Sequence, residues 1–258
     1  MADNRKLQHG NRIVVKVGSS SVSGENKQQI PQLAASLARL HAAGSEVILV
    51  SSGAISSGVP FLQLSARPED LATQQAAAAV GQNVLINRYQ RAFGFYDIVI
   101  GQILLTPSDF DSAERSANAQ ATLNRMLELG AIPIINENDS VATTEIRFGD
   151  NDRLASLVAK LVKADQLVLL SDVAALYTAP PNNPEAQPIQ FVPFGDDLSG
   201  VQIGEAKSGW GTGGALTKVA AAKYAAAHGV RVVLTDTKLF AALIDGESHG
   251  TWFEPRKI

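Results

Sequence analysis

Ile13-Val14-Val15-Lys16-Val17-Gly18-Ser19-Ser20-Ser21 is the stretch that decides the fold. Its first five residues hold four β-branched apolar side chains without polar alternation, which indicates a strand covered on both faces, as in a parallel sheet. The run passes straight into glycine and serine. Lys16 therefore lies at the C-terminal end of a strand beside a small-residue turn, the edge where open α/β sheets take their ligands. Such a turn lets backbone N–H groups approach a phosphate, and the lysine supplies a compact positive charge. Alone, the same pattern reads equally well as a strand-end lysine reaching solvent.

Working outward, similar runs rich in Val, Ile and Leu recur at 46–51, 98–105, 131–136, 166–171 and 230–235. Between the opening run 13–17 and the run 46–51, Ile30, Leu33, Leu37 and Leu40 keep helical spacing, and Gly44 follows as a C-cap glycine would. Further helices are expected over 69–91, 112–129, 153–164 and 214–228. Strands alternating with helices imply an α/β domain with a mostly parallel sheet and helices on both faces. The Pro- and Asn-rich segment 179–188 forbids regular helix and reads as a loop or β-excursion within one sheet domain.

Composition narrows the function. Of 258 residues 45% are apolar and 18% charged, which excludes an intrinsically disordered chain. A formal net charge of −3 argues against a broad nucleic-acid footprint and for small-molecule chemistry. Without cysteine there is no disulfide framework, thiolate nucleophile or cysteine-ligated zinc. The polar N-terminus lacks the apolar core of a secretory signal, and no apolar run approaches the ~18 residues of a membrane span. A cytoplasmic protein is expected, with no membrane and no nucleic acid among its partners.

Three further segments carry candidate chemistry. Ser51-Ser52-Gly53 ends the second strand in a turn that could hold a carboxylate through backbone N–H and hydroxyl groups, or simply cap a short helix. Asn136-Glu137-Asn138-Asp139 and Gly149-Asp150-Asn151-Asp152 set short amides and carboxylates directly after a buried strand and before a helix. Carboxylates accept from a ligand ammonium and amides donate to its carboxylate, so an amino acid suits that mixture. Gly209 to Lys218 is a glycine loop opening a helix, where missing Cβ atoms admit a phosphate and the helix N-terminus adds a favourable field. It contains GxGxxG at Gly209, Gly211 and Gly214, yet no strand precedes it as a dinucleotide fingerprint requires; Lys218 follows Thr217 instead of glycine, so it is no Walker loop either. The four histidines stand apart and beside none of these loops, which argues against zinc and against a serine–histidine triad. Phosphoryl transfer to a carboxylate would not need a histidine, since a carboxylic acid with a pKa of about 4.3 is already an anion and requires no general base.

In order, KVGSS, VSSGAISSG, INENDSVAT, FGDNDRLAS, LLSDVAALYT and GTGGALTK resemble the amino-acid kinase family over nearly the whole chain, with INENDSVAT and GDND similar to its glutamate-phosphorylating branch. The resemblance implies a single-domain αβα sandwich over residues 1–258, with the amino acid on the N-terminal part and the nucleotide on roughly 165–258. It implies transfer from ATP to the γ-carboxylate of L-glutamate, the first step of proline synthesis, with Mg2+ accompanying ATP and no residue assigned as a metal ligand. Catalytic roles would fall to Lys16, Lys218 and Asp152. Glutamate would be held by Ser52, Gly53, Asn136, Asp139 and Asn151, and ATP by Lys16, Ser171, Asp172, Thr212, Gly213, Gly214, Ala215, Leu216, Thr217 and Lys218. The family also suggests feedback inhibition by proline and a homodimer or homotetramer. Two departures stand out: Ser171 replaces a frequent threonine and keeps its hydroxyl, while Ala175 replaces a glycine and removes a flexible position. Many members carry a C-terminal PUA domain, for which a chain ending at Ile258 leaves no room. Two other readings stay open: a kinase of another small carboxylic acid, and a non-catalytic nucleotide or amino-acid sensor.

Overall fold

Lys16 and its apolar neighbours form the central strand of a computed structural model that describes residues 5–22, 26, 28–141, 151–179, 183–199, 201 and 214–257. In chain order the strands are β1 (Arg12–Val17), β2 (Glu46–Ser51), β3 (Ile100–Leu105), β4 (Ile132–Glu137), β5 (Gln166–Ser171), β6 (Leu176–Tyr177), β7 (Pro188–Ile189), β8 (Phe191–Val192), β9 (Arg231–Asp236) and β10 (Thr251–Phe253). The helices are α1 (Ser19–Val22), α2 (Gln29–Ala42), α3 (Ala54–Gly58), α4 (Leu71–Gly94), α5 (Pro107–Asp111), α6 (Ala113–Glu128), α7 (Asn151–Leu161), α8 (Ala215–Ala227) and α9 (Phe240–Ile244).

One eight-stranded sheet runs β3-β4-β2-β1-β5-β9-β10-β8. β3, β4, β2, β1, β5 and β9 pair in parallel, and β10 turns antiparallel to β9. Val17 lies opposite both Ser51 and Leu170, so the ends of β1, β2 and β5 reach a common edge. Alternation along each strand splits the core into two layers. Val14, Ile48, Val50, Leu167 and Leu169 pack under α7 and α8, while Ile13, Val15, Val17, Val47 and Leu49 pack under α2, α4 and α9.

The expected strands are present with end shifts of up to two residues, and Ile30, Leu33, Leu37 and Leu40 are buried on α2, with Gly44 at φ +84 just past its end. Capping sets several helix starts: Asp70 accepts from Thr73 N and Ser112 accepts from Arg115 N. The helix expected from 153 starts at Asn151, which places Asn151 and Asp152 inside its first turn. Segment 179–188 is flanked by β6 and β7, which pair antiparallel as a small excursion. The antiparallel edge of β10 and β8 was not expected, because runs of three and two residues carry no periodicity.

Helices α3 and α4 cross backbone to backbone. A Cβ on Gly58 would meet Ala77 O at 1.9 Å, and one on Gly81 would meet Ala54 O at 1.7 Å. This seats the turn between β2 and α3 directly on α4.

Candidate active site

Three charged side chains meet where β1, α7 and α8 come together. Alternation puts Lys16 on the same face of β1 as Val14, toward α7 and α8. Lys16 Nζ lies 2.5 Å from Asp152 Oδ1, and Lys218 Nζ lies 3.1 Å from Asp152 Oδ2. Thr217 Oγ1 donates to Asp152 Oδ2 at 3.1 Å or to Gly214 O at 3.0 Å. Exposures are 4% for Lys16, 1% for Asp152 and 9% for Lys218, so water screens these charges poorly. Burial alone would raise the Asp152 carboxyl, but the Lys16 and Lys218 ammoniums outweigh it and hold it below the usual carboxylate range. Two ammoniums converge on this one carboxylate, and positive charge gathered in that way suits an anionic ligand. Gly18 keeps space beside the first of them, since even a Cβ there would stand 3.8 Å from Lys16 Nζ.

On the other side of β1, the turn after β2 meets the end of β4 and the start of α7. Asn151 Nδ2 gives its two protons to Ser52 Oγ at 2.8 Å and Asn136 Oδ1 at 2.9 Å, with Ser51 O farther at 3.4 Å. Asn136 Oδ1 also accepts from Glu137 N at 2.9 Å. Gly53, at φ +103, takes a backbone conformation that side chains resist and turns the chain into α3. Among the described residues, Asn136 Nδ2, Asn151 Oδ1 and Asp139 Oδ1 are buried without a hydrogen-bond partner. Each such group carries a desolvation cost of about 1–3 kcal/mol that a ligand could relieve. Burial, aided by the Glu137 charge, raises the Asp139 carboxyl to about 7 against the pull of Arg67.

The end of β5 supplies a third element. Ser171 is buried and its Oγ donates to Asp172 Oδ1 at 3.2 Å, while Asp172 is exposed. Thr237 Oγ1 donates to Ser171 O at 3.1 Å and lies 2.9 Å from Ser21 Oγ, tying the end of β5 to α1. Gly214 caps α8, Ala215 is half-buried and Leu216 is exposed. Thr212, Gly213, Gly149 and Asp150 lie outside the described residues. Ala175, where a glycine was expected for its flexibility, is buried and does not have positive φ, so alanine fits without strain.

Sequence reading singled out Lys16, Asp152 and Lys218, and the fold brings them together; Ser52, Asn136 and Asn151 likewise share one hydrogen-bonded cluster. It missed the hydroxyl of Tyr89, 2.8 Å from Ser51 Oγ, and the contacts of Thr237. A tyrosine within an alanine-rich helix gives no sign of what its hydroxyl meets. The histidines bond elsewhere, His9 to Ile244 O, His41 to Gly130 O, His228 to Tyr224 O and His249 to Glu247.

A parallel sheet whose C-terminal edge gathers two lysines about an aspartate, beside the first turns of two helices, defines an α/β domain built to handle an anion. The family model for the amino acid kinase family matches residues 11–236. A glutamate 5-kinase of Leifsonia xyli subsp. xyli is 60% identical over 254 residues, covering 98% of this chain and 94% of that protein. A glutamate 5-kinase of Clavibacter michiganensis subsp. michiganensis is 58% identical over 255 residues, covering 99% and 98%. The solved carbamate kinase from Giardia lamblia bound to AMP-PNP shares the fold with a TM-score of 0.68 at 16% identity, covering 96% of this chain and 99% of that one. The chain belongs to the amino acid kinase family.

Proposed function

We propose that this protein transfers the γ-phosphoryl group of ATP to the γ-carboxylate of L-glutamate, giving ADP and L-glutamyl 5-phosphate, the entry step to proline synthesis. The observation that carries the reading is the single buried carboxylate of Asp152 held between Lys16 and Lys218, in a chain 58–60% identical to glutamate 5-kinases over nearly its whole length.

A glutamate γ-carboxylate oxygen attacks the γ-phosphorus, a new P–O bond forms, and the bond to the bridging oxygen breaks to release ADP. No proton has to move, since the acceptor is already an anion. What the step requires is alignment and neutralised charge on the transferring oxygens. Lys16 and Lys218 are assigned that neutralisation, and Asp152 is assigned the positioning of both. Ser52, Gly53, Asn136, Asp139 and Asn151 are assigned to glutamate, with Asp139 and Asn151 Oδ1 accepting from its ammonium and Asn136 Nδ2 donating to a carboxylate. Ser171, Asp172 and the segment 212–218 are assigned to ATP, so that roughly 165–258 forms the nucleotide half and the N-terminal part the amino-acid half.

Among the described residues no group of three or more His, Asp or Glu stands together as a metal site. Magnesium is typically carried largely by substrate phosphates with one or two carboxylates, and among the described residues Asp172, exposed at the end of β5, could supply one. Magnesium supplies positive charge to the phosphate oxygens when bound.

Among the described residues no helix is long and apolar enough to cross a membrane, and we place the enzyme in the cytoplasm as a homo-oligomer subject to proline feedback. Incubation with ATP, Mg2+ and a panel of acids tests the reading. ADP release that depends on glutamate above aspartate, N-acetylglutamate and carbamate is expected. Preference for another acid would move the acceptor, and no acid-dependent turnover would leave a sensor.

A further inference from the structure

Helix α4 inserts a tyrosine hydroxyl into a largely apolar layer. Tyr89 is wholly buried among Leu33, Leu37, Val47 and Leu49, with Phe93 6.4 Å away between ring centroids. Its hydroxyl lies 2.8 Å from Ser51 Oγ, itself at 0% exposure. Ser51 Oγ donates to Ser52 O at 3.0 Å. A serine hydroxyl has one proton, so with that proton on Ser52 O the bond from Tyr89 has one possible direction: the phenol donates and Ser51 accepts. Burial also pushes the Tyr89 hydroxyl above its usual range, so it stays protonated and remains a donor.

The relay ends on a peptide that matters. Ser52 O and Gly53 N–H belong to one planar trans peptide and point in opposite directions, so holding the carbonyl toward Ser51 aims the N–H away from it. Ser52 N is fixed from below by Val17 O at 3.1 Å, and Ser52 Oγ accepts from Asn151 Nδ2 at 2.8 Å. Beyond Gly53 the chain is locked by Ser57 N and Ser56 Oγ, which donate to Gly53 O at 3.0 and 3.1 Å. With both flanks held, the rotation of the peptide between Ser52 and Gly53 is set by the Tyr89–Ser51 pair. The close crossing of α3 on α4 at Gly58 and Gly81 seats this turn on the helix that carries Tyr89.

We infer that Tyr89 is a positioning residue for the acceptor: through Ser51 it sets the orientation of the Ser52–Gly53 peptide, whose N–H and adjacent serine hydroxyl receive the amino-acid substrate. The inference rests on the assignment of this turn to glutamate. Wholly buried, Tyr89 acts on the acceptor only through Ser51, and among the described residues its hydroxyl bonds to none of those assigned to ATP.

Tyr89→Phe keeps the ring and removes the donor. With melting temperature followed as a control for folding, kcat/KM for glutamate should fall about tenfold while KM for ATP stays within twofold. Ser51→Ala should give the same split, and the double variant should be no worse than Ser51→Ala alone, since both changes cut one chain. General loosening of the fold would move both substrates together, and additive losses would mean separate contacts; either result overturns the proposal, as does an unchanged kcat/KM for glutamate. Should Tyr89→Phe not fold, Ser51→Ala alone carries the same expectation for the two substrates. If the parent protein shows no glutamate-dependent ADP release, the functional reading itself fails, which the parent control reveals separately.

Discussion

The two flanks of β1 are finished to different degrees. On the α7–α8 side three buried charges among the described residues are already paired: Asp152 bridges Lys16 and Lys218 at 2.5 and 3.1 Å, inside a layer that excludes water. On the β2–β4 side, Asn136 Nδ2, Asn151 Oδ1 and Asp139 Oδ1 are buried with no partner among the described residues. The contrast matches the two tasks proposed for these flanks. Charges that stabilise a transition state act best when fixed beforehand, because nothing then has to reorganise during the reaction. Groups that recognise an amino acid gain selectivity by being left incomplete, because a molecule lacking the matching ammonium or carboxylate leaves them unpaired.

The comparison breaks most severely at Asp152. Asp152→Asn keeps the shape and removes the buried anion that Lys16 and Lys218 share, a change that typically costs about 3–5 kcal/mol. Urea unfolding at neutral pH measures it, and a loss under about 1 kcal/mol would mean the trio is not a unit. In the parent, the depressed Asp152 carboxyl contributes stability that is complete above about pH 4 and is lost as the pH falls through its lowered value. Lys218→Ala tests function on the same flank: kcat should drop about 10²–10³-fold with little change in KM for glutamate, and full activity would remove Lys218 from the chemistry.

The open flank should answer in the other parameter. Asn136→Ala removes an unpaired donor, so KM for glutamate should rise on the order of 10–100-fold with KM for ATP unchanged. A fall in kcat alone would erase the distinction between the flanks. The smallest effect is a pH dependence. With Asp139 at about 7, the folded protein holds a proton that the unfolded chain has released above about pH 4, so this group's contribution to stability falls as pH rises from there to about 7 and is then constant. A ligand ammonium needs the ionised form, so KM for glutamate should rise about tenfold between pH 8 and pH 6. Asp139→Asn should flatten that profile, and an unchanged slope would assign it to another group.

Much of this was legible beforehand because the informative residues sit where local rules speak. Continuous runs rich in Val, Ile and Leu disclosed β1, β2 and β5 as buried parallel strands, and small-residue turns after β1 and β2 marked the ligand edge. What escaped are contacts between segments that no local pattern relates. Asn151 reaches Ser52 across 99 positions and Asn136 across 15, and Tyr89 reaches Ser51 across 38. Parallel crossovers make such pairs without any signal at either residue. Similarly, β10 and β8 owe their place to the exposed edge of β9, since their own sequences are too short to declare a strand.

The position of β1 between β2 and β5 has a stereochemical consequence. An acceptor seated over β2 and β4 and a donor seated over β5 and β9 would approach Lys16 from opposite sides, so entering and leaving oxygens would lie on a line through phosphorus. ATP made chiral at its γ-phosphorus should then yield an acyl phosphate of inverted configuration. Retention would instead require two successive displacements, with the phosphoryl group parked on the protein between them.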